Sequence, residues 1–244
     1  YLNVGELKSS GIEFSIGYNI LRDKLVDWTT NVNFSSFNVK LSDLNEEIGG
    51  TYIGATNLGT PGQEATQITR AIEGEKIGVL WGWVYDGVDK DGKYILRDLN
   101  GDDQINGDDQ TIIGNGLPKF ELGWNNTFKY KNWDLNFFLR GSFGHDLINT
   151  YRAFYENPNI ATSYNVVNTK YFNPAITDGQ IFSSLFVEKA SFVKLDNATI
   201  GYNFKVKGNS FKSIRAYVAG QNLFVITDYT GADPEVRFAD GTNV

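Results

Sequence analysis

The chain has 244 residues, with 22 basic against 29 acidic side chains and a formal charge of −7. That length fits one large all-β domain or at most two ordinary ones, and the acidic excess argues against a nucleic-acid binder, which needs a basic stripe. The absence of Cys excludes disulfides, thiolate metal sites and a Cys nucleophile, and a single His, His145, excludes a multi-His metal centre.

The first element is a strand over residues 11–20. Ile12, Phe14, Ile16, Tyr18 and Ile20 share one face, and Glu13, Ser15, Gly17 and Asn19 the other, the period of two that marks a half-buried strand. Leu21-Arg22-Asp23-Lys24 turns the chain. Trp28, Thr30, Val32 and Phe34 then alternate with Thr29, Asn31, Asn33 and Ser35. The phase slips at Ser35-Ser36 before Phe37 and Val39, which predicts a bulge there.

Residues 40–119 read as a long loop. Within it Trp81, Trp83 and Tyr85 alternate in an apolar run; packing of the loop against the rest of the protein is favoured over stacking on sugar rings. Further on, Asp98, Asn100, Asp102 and Asp109 stand at positions 1, 3, 5 and 12 of a twelve-residue calcium loop. The Gln104 carbonyl fits position 7, and Asn106 fits position 9 through water. Asp103 stands at position 6, where the sharp turn favours Gly, and Asp109 is shorter than the usual Glu. The spacing predicts a weak, extracellular-type calcium site, against the alternative of an Asx-rich turn that binds nothing.

Alternation returns over residues 120–130, turns at Lys131-Asn132, and continues over 133–143. A second long loop spans 144–191. Its His145-Asp146 pair lacks an accompanying Ser nucleophile motif, so no catalytic residue is assigned and the chain is read as no enzyme. Residues 192–204 form a fifth strand, 205–213 a polar turn, and 214–226 a sixth strand whose outward face the alternation leaves open.

Short links follow strands one, three and five, and long links follow two, four and six. In an up-and-down meander all long loops then lie at one end, as in an outer-membrane barrel. An 11-residue strand spans roughly 37 Å at ~3.4 Å per residue. Tilted ~45°, it rises about 26 Å, close to the ~25 Å apolar band of such barrels. Trp28, Phe34, Tyr130, Trp133, Phe143 and Phe204 sit where interfacial girdles belong. The competing soluble β-sandwich usually has strands of ~5–6 residues and far shorter loops. No apolar run is long enough for a spanning helix of ~20 residues, a test blind to barrels.

Six strands cannot close a membrane barrel, whose smallest forms have about eight, and open edges in lipid cost several kcal/mol per unpaired group. With no Met anywhere and Tyr1 at the start, residues 1–244 are expected to be one portion of a longer barrel chain.

Several segments resemble the SusC/RagA family of TonB-linked outer-membrane proteins. Ala190-Ser191-Phe192-Val193-Lys194-Leu195-Asp196-Asn197-Ala198-Thr199-Ile200-Gly201-Tyr202-Asn203-Phe204 is similar to a strand near that family's C-terminus. Gly220-Gln221-Asn222-Leu223-Phe224, continued by Asp228-Tyr229-Thr230-Gly231-Ala232-Asp233-Pro234-Glu235-Val236, is similar to its penultimate strand and following loop. The calcium-like loop with Ile112-Ile113-Gly114-Asn115-Gly116-Leu117-Pro118, the stretch 82–87, and Leu139-Arg140-Gly141-Ser142-Phe143-Gly144 also match, in order.

The resemblance implies an antiparallel up-and-down transmembrane β-barrel of roughly 22 strands, of which this chain is a late, partial section. The plug domain, the TonB box, most of the strands and the final strand are then absent. It further implies an importer of oligosaccharides or peptides in the outer membrane of a Bacteroidetes-type bacterium. Its partners would be a SusD-like surface lipoprotein, membrane lipid, and TonB through the missing N-terminal part. Glu13, Asn31, Asn125, Asp134, Asn136 and Arg140 would line the lumen. The rival reading is a secreted, calcium-binding, β-rich adhesion or glycan-binding module.

Overall fold

A computed structural model of the chain describes residues 5–23, 25–44, 52–60, 63, 65–206 and 211–235. In chain order the strands are β1 (Gly5–Arg22), β2 (Val26–Leu44), β3 (Tyr52–Asn57), β4 (Gln67–Ile72), β5 (Val79–Trp83), β6 (Tyr85–Val88), β7 (Tyr94–Leu96), β8 (Gln110–Asn115), β9 (Phe120–Tyr130), β10 (Trp133–Phe143), β11 (Asp146–Ile148), β12 (Val187–Lys189), β13 (Phe192–Lys205) and β14 (Ser213–Thr227). One short helix, α1 (Thr150–Tyr155), lies between β11 and β12. Lys24, residues 207–210 of the third turn and Val236 lie outside the described residues.

The six long strands form one antiparallel sheet in the order β1-β2-β9-β10-β13-β14. It is an up-and-down meander whose edges do not meet, as a section of a larger barrel requires. The pairs β1–β2, β9–β10 and β13–β14 are closed at the same end by short links, and the long loops all leave from the other end. Lys131 takes a positive φ of 53° in the tight β9–β10 turn. The bounds of β9 and β10 agree with the alternation. β1 and β2 run further than it indicates: β2 pairs with β9 only up to Ser35 but with β1 up to Leu44. The surplus forms a hairpin standing beyond the sheet on the long-loop side.

Two sequence expectations are corrected. There is no bulge at Ser35-Ser36: the β1–β2 register runs unbroken from Leu7↔Leu41 to Asn19↔Thr29, with shifts only at Glu6/Leu7 and Asn19/Leu21. Phe37 instead sits on the polar face opposite Gly11, where a Cβ would come within 2.8 Å of its ring. The long loops, in turn, are structured. They hold a four-stranded sheet β3-β4-β5-β8 and the pairs β6-β7 and β11-β12. The open question about β14 is also answered. A register shift opposite Leu195/Asn197, with Asn222 at a φ of 50°, switches the alternation within the strand. Ile214, Ala216 and Val218 share the apolar face before it, and Phe224 and Ile226 after it.

That apolar face runs across all six strands, interrupted by Thr30 and Asn126. Two rows of rings cross it. Phe14, Phe34, Phe120 and Phe143 stack in succession near the long-loop end, with centroids 5.0, 5.9 and 4.9 Å apart. Trp28, Phe128 and Phe137, then Trp133, Tyr202 and Phe204, form the second row toward the short turns. On β9, Phe120 and Phe128 lie about 27 Å apart along the strand at ~3.4 Å per residue. Such paired aromatic rows match the girdles of a membrane barrel.

The buried core lies elsewhere. Leu58, Ile68, Ala153, Phe182 and Phe186 pack with Ile113, Ile148, Leu185 and Val187 in the loop layer. The apolar face of the main sheet stays open, with Ile12 at 68%, Ile16 at 61% and Val218 at 73% exposure. A soluble sandwich buries that face against a second sheet; hydrocarbon covers it at no desolvation cost.

Candidate functional site

Alternation places Glu13, Asn31, Asn125, Asp134, Asn136 and Arg140 together on the opposite, polar face, as the sequence predicts for a lumen. Cross-strand hydrogen bonds knit this face. Thr29 donates to Asn19 Oδ1 (2.8 Å), and Asn136 Nδ2 donates to Asn125 Oδ1 (3.2 Å) and Thr127 Oγ1 (2.9 Å). Asp134 accepts from Arg215 (2.5 Å) and Asn203 (3.1 Å). Glu13, Ser35, Glu121 and Ser142 follow one another across four strands. Beside them lies an open groove of about 560 Å³, lined among others by Asn33, Phe138 and Arg140.

Arg140 is the centre of charge on this wall. Its Nε and Nη2 donate to Asp196 (3.3 and 3.1 Å), and its Nη1 and Nη2 donate to Glu235 (2.5 and 3.0 Å). Both edges of the guanidinium are thus engaged bidentately, its strongest mode. Lys194 donates to the same Glu235 at 2.7 Å and lies 3.7 Å from Asp233. The Arg140 guanidinium, with Lys194 beside it, holds the Glu235 carboxyl down at about 2. Arg140, the Lys194/Asp196 pair and Glu235 belong to three of the segments on which the family resemblance rests. The sequence singles out Arg140 but not its partners, which lie 56 and 95 residues away.

A second cluster organises the outer loops. Arg152 of α1 donates to Glu156 (2.9 Å), Glu188 (2.7 Å) and the Leu185 carbonyl (3.2 Å), with its guanidinium 4.2 Å from the Tyr171 ring. Its side chain is 4% exposed and that of Glu156 7%. Asn149 caps α1 by accepting from the Arg152 N–H and also donates to Glu188. The far oxygen of Glu188 accepts the Thr230 N–H at 2.7 Å. Backbone and side-chain donors, Thr230 first and then Arg152, hold the Glu188 carboxyl below its usual range despite burial. Only the Arg152–Glu156 spacing is local; Glu188 lies 36 residues further along the same loop and Thr230 beyond β14, so no sequence pattern announces the cluster as a whole.

His145 is buried, edge-on to Phe192, and its carbonyl accepts the Ala190 N–H. Burial pushes its imidazole below the ordinary range. Trp81 donates to Gln110 Oε1 (3.0 Å) beneath the Arg70 guanidinium, and Trp83 donates to the Asn106 carbonyl (2.9 Å). Both indoles therefore pack within residues 40–119, tying β5 to β8 and to the segment just before it.

The acidic loop 98–109 satisfies its own backbone. Asp98 accepts from the N–H groups of Gly101 (2.6 Å) and Asp103 (2.8 Å), and Asp102 accepts from Gln104 (2.8 Å). Asn106 and Asp109 form a reciprocal capping box on the 3-10 turn Gly107–Asp109. Asp103 takes the positive φ (59°) that position 6 demands, without a glycine. Asp109 is fully buried, and the N–H groups of Asn106 and Leu99 hold its carboxyl below the usual range. Among the described residues no group of three or more His, Asp or Glu side chains is arranged to hold a metal ion.

No family model matches the chain. TonB-dependent receptor P3 of Formosa agariphila is 33% identical over 99% of this chain and 26% of its own length. TonB-dependent receptor SusC of Bacteroides thetaiotaomicron is 28% identical over 96% of this chain and 25% of its own length. The chain belongs to the SusC/RagA family of TonB-dependent receptors. It spans about a quarter of the length of the curated relatives it matches. The fold agrees. The RagAB peptide importer in its open-open state superposes with a TM-score of 0.76 at 22% identity, covering 96% of this chain and 27% of that one. Its closed-closed state gives 0.75 at 23%, with the same coverage of both chains. The section of fold present here is therefore common to both states.

Proposed function

We propose that this chain forms part of the wall and outer loops of an outer-membrane, TonB-dependent transporter. That transporter imports oligosaccharides or peptides together with a SusD-like surface lipoprotein. Energy reaches it through TonB by way of elements outside this chain. The observation that carries this reading is the two-faced main sheet. One face is apolar, open and crossed by two aromatic rows; the other is mainly polar, with Phe37 and Phe138 among its few rings. Hydrocarbon outside and water inside satisfy both at once, and the wall supplies shape and polarity rather than chemistry.

The test is made on the full reading frame that contains this sequence. After expression, the protein should fractionate with outer membranes and need detergent for extraction. It should shift in gel mobility on heating and support uptake only when TonB and the neighbouring lipoprotein are present. Material that stays monodisperse in plain buffer would reject this reading in favour of a secreted β-rich adhesion or glycan-binding module.

Calcium at Asp98, Asn100, Asp102, Gln104, Asn106 and Asp109 is a separate proposal, carried by the oxygen spacing of the loop. Calorimetric titration of the full-length protein tests it. Heat at millimolar calcium that disappears in Asp98→Asn supports the site, and no heat rejects it.

A further inference from the structure

Residues 228–235 leave β14 at the long-loop end and bridge two clusters that otherwise have no common member. At one end, Thr227 Oγ1 donates to the Ser191 carbonyl (2.9 Å), and the Thr230 N–H and hydroxyl reach Glu188 (2.7 and 2.8 Å). Glu188 is held in turn by Arg152, at the centre of the outer-loop cluster. At the other end, Glu235 is clamped to Arg140 and Lys194 on the polar wall. The bridge itself is short. Four residues separate Thr230 from Glu235, so the five steps between them span at most roughly 18 Å of chain. Asp233 Oδ1 accepts the Glu235 N–H (2.9 Å), and Pro234 is buried. A Cβ on Gly231 would come within 2.4 Å of the Tyr229 ring, so the segment is folded tightly on itself.

We infer that residues 228–235 are a strap that couples the outer-loop layer of residues 144–191 to the lumen wall. Release of Glu235 from Arg140 and Lys194 frees one end of the strap, weakens the hold of Thr230 on Glu188, and loosens the loops around α1. The wall's charge state and the order of the loops at the barrel mouth are then one equilibrium. Its place at a transporter's mouth rests on the function proposed above, but the coupling is a property of this chain's own contacts.

Hydrogen exchange read by mass spectrometry on the full-length protein in detergent tests it. Glu235→Gln keeps the shape and removes the charge. It should raise exchange in residues 146–176 about tenfold, as expected when a local opening loses a charge-assisted contact, while β9 and β10 keep wild-type protection. Gly231→Val forces the Tyr229 ring aside at the middle of the strap without touching a charge, and should raise exchange in the same residues. Faster exchange in 228–235 alone, with 146–176 unchanged, would overturn the coupling. Should Glu235→Gln fail to assemble, Gly231→Val decides by the same readout. A wrong transporter assignment would show instead in the wild type, as loss of membrane fractionation or uptake.

Discussion

Trp28 on β2 donates its indole N–H to Asn126 Oδ1 on β9 at 3.0 Å, in the middle of the apolar face. Trp124 makes the reciprocal contact, donating to Thr30 Oγ1 at 2.8 Å. Thr30 and Asn126 are direct register partners and the two polar interruptions of that face. Each indole donates to one of them, and Asn126 is fully buried with its Oδ1 paired to Trp28 and its Nδ2 left without a partner. Lipid offers no water to an orphaned amide, which makes this crossed pair a register lock for β2 against β9. Trp28→Phe keeps a ring but strips the Asn126 acceptor of its donor, and should cost about 1–3 kcal/mol. Urea unfolding of the full-length protein in lipid vesicles measures this. Adding Asn126→Leu should recover most of the loss, because it removes the unpaired amide. An unshifted midpoint for Trp28→Phe would contradict the role.

Arg152 offers a second test, in the loop layer. Glu156 and Glu188 are nearly buried beside it. Arg152→Leu therefore leaves two carboxylates without their cation, a change that typically costs 3–5 kcal/mol when a buried pair is broken. Limited proteolysis should then cut within residues 144–191 while the main sheet stays intact. If the cleavage pattern equals that of wild type, the cluster does not hold the loops.

The strand framework was legible because each stave shows one face to oil and one to water, so Phe120–Tyr130 and Trp133–Phe143 could be bounded to the residue. Legibility failed where the alternation stopped meaning inside and outside. Phe37 lies on the β1–β2 hairpin beyond the common sheet, so its ring could settle over Gly11 on the polar side. Asn222 switches the phase of β14 through a backbone conformation that spacing does not reveal. The polar wall was legible as a list of residues, but the Arg140–Glu235 clamp was not. Charges 95 residues apart meet only through the register of β10, β13 and β14.

Glu235 also gives a pH prediction. Its carboxyl is held down at about 2 in the folded chain, against an ordinary value near 4.5. A group whose folded value is depressed contributes stability that is complete above its unfolded value. That contribution fades as pH falls from about 4.5 toward 2. Protection of residues 228–235 should therefore be flat from pH 8 to 5 and fall below 4. Glu235→Gln should abolish the acid-dependent part. A strap that loosens instead as pH rises from 5 to 8 would show that another group controls it.

The absence of Cys allows the two faces to be told apart by single-cysteine labelling in a full-length protein of matching composition. Asn33 and Asn136 lie on the polar face, so Asn33→Cys and Asn136→Cys should react with a membrane-impermeant maleimide in reconstituted vesicles. Ile16 and Val218 lie on the apolar face near opposite edges of the sheet. Ile16→Cys and Val218→Cys should resist that reagent, yet be quenched by brominated lipid once labelled with a fluorophore in detergent. A one-residue slip in any strand would move its whole set of side chains to the other face, so each strand is an independent test. Reaction of Ile16→Cys with the impermeant reagent, while Asn136→Cys stays silent, would invert the wall and remove the basis for placing Arg140 and Glu235 in the lumen.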